Sequence, residues 1–274
     1  MATGADFDQN VNYLRDVQYR DSTELAKRAN LHTTYRTAPQ LAFDFFAALI
    51  DWPAGGRVLD AGGGSGYLWD HVAAIAPEGI DLVVTDLSNG MVDEAVERAR
   101  GTGRFASVEG YTCDARNLPF EDEAFDVVVS TYALYHVPDP GDAVAELARV
   151  VRDDGTVGIM TNGPRHLHEI EQVRVAVFGD DARYEVNRTF PPATAASMLV
   201  EHFDDVHWRR FDDTLHVTDL DDIMAFITST PPANDATPVQ VEQLHALALQ
   251  HMRDGIFVVS KDTGALVCRN PKHE

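Results

Sequence analysis

One stretch constrains this chain more than any other: Val58-Leu59-Asp60-Ala61-Gly62-Gly63-Gly64-Ser65-Gly66, with Asp86 twenty residues further on. Two apolar residues run into an acid and then into a glycine-rich turn. Tyr67 to Ala76, directly after it, reads as a helix. A strand, a tight turn and a helix in that order open an α/β unit, and glycines at the turn let backbone and ligand approach closely. Leu82-Val83-Val84-Thr85 reads as a second strand ending in Asp86. A carboxylate at that strand tip is placed to hydrogen-bond ribose hydroxyls of a ligand lying across the strand ends.

The dinucleotide fingerprint Gly-x-Gly-x-x-Gly does not fit, because Tyr67 or Trp69 stands where its last glycine belongs. The pattern present is Asp-x-Gly-x-Gly-x-Gly, on Asp60, Gly62, Gly64 and Gly66. An acid just before the glycines would repel a pyrophosphate but suits a ligand carrying an ammonium and a sulfonium. In this the sequence resembles the class I S-adenosylmethionine-dependent methyltransferases, small-molecule type. The resemblance implies S-adenosyl-L-methionine as cofactor. It also implies a Rossmann-like, mostly parallel seven-stranded sheet with an antiparallel last strand. By the same resemblance the cofactor-binding set is Asp60, Gly62, Gly64, Gly66, Asp86, Leu87, Met91, Asp114, Ala115 and Ser130. Asp114 would accept from the adenine amino group, and the Ala115 N–H would meet a ring nitrogen.

The rest of the core reads in the same alternation. Met91 to Arg100 is a helix capped by Ser88 or Asn89, and Phe105 to Glu109 is a third strand. Phe125-Asp126-Val127-Val128-Val129-Ser130 is a near-continuous apolar run, as expected of a strand buried on both faces. Loops at the carboxyl ends of parallel strands form the ligand crevice, so Tyr132, Tyr135 and His136 should face it. Ala143 to Val151 is a helix and Thr156 to Met160 a fifth strand. Strands alternating with helices imply a doubly wound parallel sheet, an α/β fold.

The flanks are less strongly typed. Leu25 to Leu31 and Ala38 to Ile50 read as helices, the second with Pro39 at its opening. In the family such helices cover the ligand cleft, which makes Tyr13, Tyr19, Arg20, His32 and Tyr35 candidates to line it, with Tyr132 and Tyr135 opposite. Further helices read at Leu167–Phe178, Thr194–His202, Leu220–Thr228 and Val239–Met252, with a strand at Val206–Phe211. The Asp262-Thr263-Gly264 turn between two apolar runs reads as a hairpin. Without a linker or repeat, the expected organisation is one domain. Residues 1–50 form a helical cover, 51–163 the cofactor core, 164–203 a substrate-cover insertion after strand five, and 204–274 the elements completing the sheet.

Methyl transfer from a sulfonium is an in-line displacement, so catalysis is chiefly positioning. A base is required only where the nucleophile carries a proton it must lose. His136 is the candidate for that role, since histidine titrates near neutrality and its loop lies at the ligand end of the sheet. His166 and His168 are expected on the surface, and no metal spacing is present. Neither a Gly-x-Ser-x-Gly elbow nor a phosphate-cradling Gly-Lys-Ser/Thr loop occurs. The Asn/Asp-Pro-Pro-Tyr motif is absent after strand four, and so is the acid pattern of magnesium-dependent members. A net charge of −22 repels phosphate backbones, arguing against nucleic acid as substrate. No apolar run reaches membrane-spanning length. Two cysteines without pairing signals suit a reduced, cytoplasmic setting. The expectation is methyl transfer to an oxygen or nitrogen of a small molecule, carbon remaining possible. A non-catalytic binding module, or a protein- or RNA-directed enzyme, is the alternative.

Overall fold

The computed structural model describes residues 10–14, 16 and 23–273. Its centre is a seven-stranded sheet in the order β3-β2-β1-β4-β5-β9-β6. The strands are β1 Arg57–Ala61, β2 Asp81–Asp86, β3 Ser107–Thr112, β4 Phe125–Thr131, β5 Val151–Asn162, β6 Phe203–Phe211 and β9 Thr263–Pro271. The first five pair in parallel. β9 is antiparallel to both neighbours and slots between β5 and β6.

Burial explains the strand sequences. Val58, Leu59, Val128 and Val129 are wholly buried because helices cover both faces of the sheet. On one face lie Pro140–Val150 and Pro192–His202, whose Val144, Leu147 and Leu199 meet Leu59 and Val157. On the other lie Ala42–Ala47, Tyr67–Val72 and Asn89–Gly101, where Phe46, Trp69 and Ala95 pack on Val58 and Val84.

A second layer sits over the ligand end of the sheet. Its centre is a two-stranded antiparallel ribbon of β7 Thr214–Val217 and β8 Phe257–Ser260. Leu215, Val217, Phe257 and Val259 are its buried residues, and they pack with Leu31, Ile170, Ile223 and Leu244. Those four come from the helices Thr23–Thr34, His168–Phe178, Leu220–Ile227 and Pro238–His251. The cover therefore draws on the last third of the chain as well as on the N-terminal and post-β5 segments.

Three local expectations need correction. The Asp262–Gly264 turn does not join a hairpin: β8 pairs with β7, and β9 enters the large sheet. The second N-terminal helix spans only Ala42–Ala47, not Ala38–Ile50. Asp213 Oδ1 accepts the Thr37 and Ala38 N–H groups, each at 2.9 Å, and so holds the stretch before it out of helical geometry. Strand three runs Ser107–Thr112, displaced toward the C-terminus by its register on Asp81–Asp86.

Candidate functional site

The ends of β1, β2 and β4 open onto one cavity of about 510 Å³ whose other side is lined by the cover. On the core side the glycine turn is fixed by its own backbone. Gly62 and Gly63 N–H groups both donate to Thr85 O, each at 2.9 Å. Gly64 N–H donates to Asp86 Oδ2 at 3.0 Å, and Ser88 N–H to Asp86 Oδ1 at 2.9 Å. One carboxylate therefore ties the first turn to the second. Burial pushes the Asp86 pKa up, opposed by the N–H groups of Ser88, Gly64 and Leu87.

Two glycines are required by conformation. Gly64 has φ +54°, and a Cβ there would meet nothing within 4 Å, so its open side is the cavity. Gly66 has φ +75°, and a Cβ would lie 2.8 Å from Ala95 Cα, so it lets the turn close onto helix Asn89–Gly101. Gly62, Gly64, Asp86, Leu87, Met91, Asp114 and Ala115 all line the cavity, as do Tyr132, Tyr135 and His136.

Several expected site residues lie elsewhere. Asp60 is fully buried beneath the turn, where Oδ2 accepts the Trp69 indole N–H at 2.8 Å. Burial, partly offset by that bond and reinforced by Asp86, pushes its pKa up to about 7. Gly66 is behind the wall, against Ala95. Ser130, fully buried, donates to Ala61 O at 2.8 Å and fastens β4 to β1. Tyr35 donates its hydroxyl to Asp222 at 2.6 Å within the cover, and Tyr13 is not in the cavity wall, where Leu14 stands instead. Tyr19 and Arg20 fall outside the described residues. Asp114 is in the wall, but Arg116 grips it at 2.7 Å and holds its carboxyl below the usual range.

Tyr132, at φ +57°, directly follows β4 and lines the cavity. Its hydroxyl is 3.1 Å from Thr263 Oγ1, and burial pushes its pKa up to about 12. Its ring meets Phe43 edge-on at 6.0 Å, while the His136 ring lies 4.7 Å from that of Tyr135.

The cover side holds what sequence reasoning missed. His166 is not a surface residue: it is buried in the cavity wall, stacked on His32 at 5.8 Å. Burial, with His32 and Lys261 nearby, holds its pKa well below the usual histidine value, so the ring is neutral. His168 is exposed. Lys261 and Asp213 form a buried ion pair at 3.1 Å. Arg174, only 2% exposed, stacks on Tyr184 at 4.1 Å and donates to Thr230 Oγ1 at 2.7 Å and to Pro231 O. None of these stands in a periodic pattern. The one available signal was that a chain with only three lysines places one of them, Lys261, beside the last turn. Among the described residues no cluster suited to a metal occurs, and no helix is long and apolar enough to cross a membrane.

This geometry fits a nucleoside ligand. Open space lies over Gly64, Asp86 is held in the wall beside it, and the Ala115 N–H on the same wall meets no backbone acceptor among the described residues.

Comparison with known proteins agrees. A family model described as "Methyltransferase domain" matches residues 59–159. A demethylmenaquinone methyltransferase of Clavibacter sepedonicus is 37% identical over 106 residues, 39% of this chain and 41% of that protein. A phosphatidylethanolamine N-methyltransferase of Cereibacter sphaeroides is 37% identical over 134 residues, 48% of this chain and 61% of that one. The chain thus spans less than two thirds of the curated relatives it matches. A solved candidate methyltransferase from Bacillus halodurans superimposes with TM-score 0.59 at 19% identity, covering 84% of this chain and 99% of its own. That likeness speaks for the fold alone. Motif, strand order and family match converge on residues 59–159, and that stretch is similar to the methyltransferase domain.

Proposed function

We propose that the chain transfers a methyl group from S-adenosylmethionine to an oxygen or nitrogen of a small molecule held under the cover. The observation that carries this is a single cavity bounded by the glycine turn and Asp86 below and by the cover residues above. When bound, the cofactor supplies an electrophilic methyl carbon on a positively charged sulfur. Asp86 would bind the ribose hydroxyls, Ala115 and Asp114 the adenine edge, and Leu87 and Met91 the flat faces of the ring. Gly62 and Gly64 would admit the amino-acid portion by close backbone approach. Asp60, beneath the turn, would act through the position it gives Gly63 and Trp69, and Ser130 and Gly66 by holding the wall.

The remaining volume would be the acceptor's. Tyr132 and Tyr135 would orient it, their ring faces also favouring a nearby cation. His136 would take the proton of an O–H or N–H nucleophile. The Clavibacter relative is named for demethylmenaquinone and the Cereibacter relative for phosphatidylethanolamine. The cover is assembled from segments between residues 23 and 260, too far apart to lie within either aligned length, so those acceptors are not carried over. A concave cavity of about 510 Å³ and the charge of −22 both support a small acceptor over a nucleic acid.

Titration calorimetry with S-adenosylhomocysteine is the test. Wild type should bind at micromolar concentration. Asp86→Ala should bind about 100-fold more weakly, since charge-assisted hydrogen bonds contribute roughly 1.5–3 kcal/mol each. A folded wild type that binds nothing would sink the reading.

A further inference from the structure

The cover half of the cavity carries a charge pattern that the cofactor does not account for. The cavity's acidic residues near the nucleoside end are Asp86 and Asp114; the cover side presents Arg36, Arg174, Arg183 and Lys261 against Asp213 alone. The chain as a whole has twice as many acidic as basic residues, so this wall inverts its overall balance. Two of the four cations are neutralised. Lys261 pairs with Asp213, and Arg183 pairs with Asp180 at 2.7 Å.

Arg174 and Arg36 are different. Arg174 is as buried as the core, yet its bonds go to the neutral oxygens of Thr230 and Pro231, and among the described residues it pairs with no carboxylate. Its Nε is buried without an acceptor among the described residues. Arg36 donates to Thr33 O at 2.8 Å, its Nε is likewise buried without an acceptor, and no carboxylate pairs with it among the described residues. A buried guanidinium without an anion is costly. A guanidinium also presents donors in a fork that fits carboxylate and phosphate oxygens. Between these cations the wall is apolar, with Leu14, Phe43, Leu167 and Phe226.

We propose that the cover half of the cavity is a subsite for an anionic oxygen group, carboxylate or phosphate, on an acceptor with an apolar body, Arg174 binding the anion and Arg36 assisting. Arg174 holds the group from the cavity wall while Thr230 and Pro231 keep the guanidinium plane fixed. The apolar body then extends toward Tyr132 and the glycine turn. This rests on the methyltransferase reading for the word acceptor, but the subsite itself does not depend on it.

The experiment is calorimetric titration of the protein, alone and saturated with S-adenosylhomocysteine, with benzoate, phenyl phosphate and inorganic phosphate. Saturable binding of benzoate or phenyl phosphate is expected, weakened at least tenfold in Arg174→Gln and severalfold in Arg36→Gln. Arg174→Lys should recover part of the loss, because it restores the charge without the fork. S-adenosylhomocysteine affinity should stay within twofold of wild type in all three variants. Tighter binding of benzoate assigns a carboxylate, and tighter binding of phenyl phosphate a phosphate. Anion binding without any S-adenosylhomocysteine binding would uphold the subsite and overturn the methyltransferase reading. No saturable binding of any probe, or binding equal in wild type and Arg36→Gln and Arg174→Gln, overturns the subsite. Arg36 is part-exposed, so Arg36→Gln keeps the test decisive if Arg174→Gln does not fold.

Discussion

The two walls of the cavity are built by opposite means. The core wall is made of consecutive residues: Gly62 to Gly64 bond to Thr85 and Asp86, and Ser88 to Asp86, all within one strand–turn–helix unit and the next strand tip. The cover wall is made of long side chains from distant segments, with Thr37 tied to Asp213 and Lys261 closing the same pair. Backbone recognition by a short turn leaves a pattern in sequence. A wall assembled from an arginine here and a histidine there leaves none. The contrast also sets how each wall should fail.

The largest effect belongs to the cover. Asp213 is the buried partner of Lys261 and accepts from the Thr37 and Ala38 N–H groups, so it joins the N-terminal segment to the ribbon. Asp213→Ala leaves Lys261 buried without its anion, and breaking a buried pair costs about 3–5 kcal/mol. Chemical denaturation should show that loss. A loss below about 1 kcal/mol would mean that water reaches the pair and that the cover contributes little to stability.

The core wall answers next, through its glycines. Gly66→Ala combines a positive φ with a contact of 2.8 Å to backbone, and overpacking plus left-handed geometry together cost about 2–4 kcal/mol. Gly64→Ala meets open space and should cost only about 1–2 kcal/mol, all of it conformational. Its methyl points where the nucleoside should lie, so S-adenosylhomocysteine binding should suffer more in Gly64→Ala than stability does. Equal destabilisation by the two would contradict the packing difference.

These particulars explain how much was legible. Asp60, the spaced glycines and Asp86 led to a parallel sheet because turn chemistry is local, and the sheet is as expected. The antiparallel β9 came from resemblance. Misreadings occurred where long-range partners overrule local signals. Asp262-Thr263-Gly264 resembles a hairpin turn, but β7 takes β8 away from β9. Thr214–Val217 is too short to announce itself, and Pro39 promises a helix that Asp213 prevents. His166 looks like a surface residue until Leu167 and the ribbon bury it, and Arg174 reads as one more charge on an amphipathic helix.

The walls should also respond to pH with opposite signs. Asp60 has its folded pKa raised to about 7, so the folded state holds a proton that the unfolded chain releases near 4. Its contribution is fully present below pH 4 and is lost as pH rises through 7. His166 has its folded pKa depressed, so folding expels a proton that the unfolded chain holds below about 6.5. Its contribution is present above that value and lost as pH falls. Between pH 5 and 8, Asp60→Asn should therefore gain on wild type, by a few kcal/mol at most at 1.36 kcal/mol per pKa unit. His166→Gln should gain on wild type in the other direction, as pH falls from 7 to 5. Thermal melts of the three proteins across that range check both. Parallel curves for Asp60→Asn and wild type would show that the carboxyl beneath the turn stays charged.

The smallest effect lies at the end of β4. Tyr132 follows that strand, and its hydroxyl reaches Thr263 of β9 in the same sheet at 3.1 Å. Thr263 Oγ1 also donates to Thr161 O at 3.1 Å, so removing the tyrosine hydroxyl strands no partner. Tyr132→Phe keeps the ring against Phe43 and gives up one hydrogen bond, a cost of about 0.5–1.5 kcal/mol in melting or denaturation. S-adenosylhomocysteine affinity should remain within about twofold, because in this geometry the hydroxyl is turned to β9 of the central sheet. A tenfold drop would place that hydroxyl on the ligand instead, and it would then belong to the binding site rather than to the packing of the sheet's strand ends.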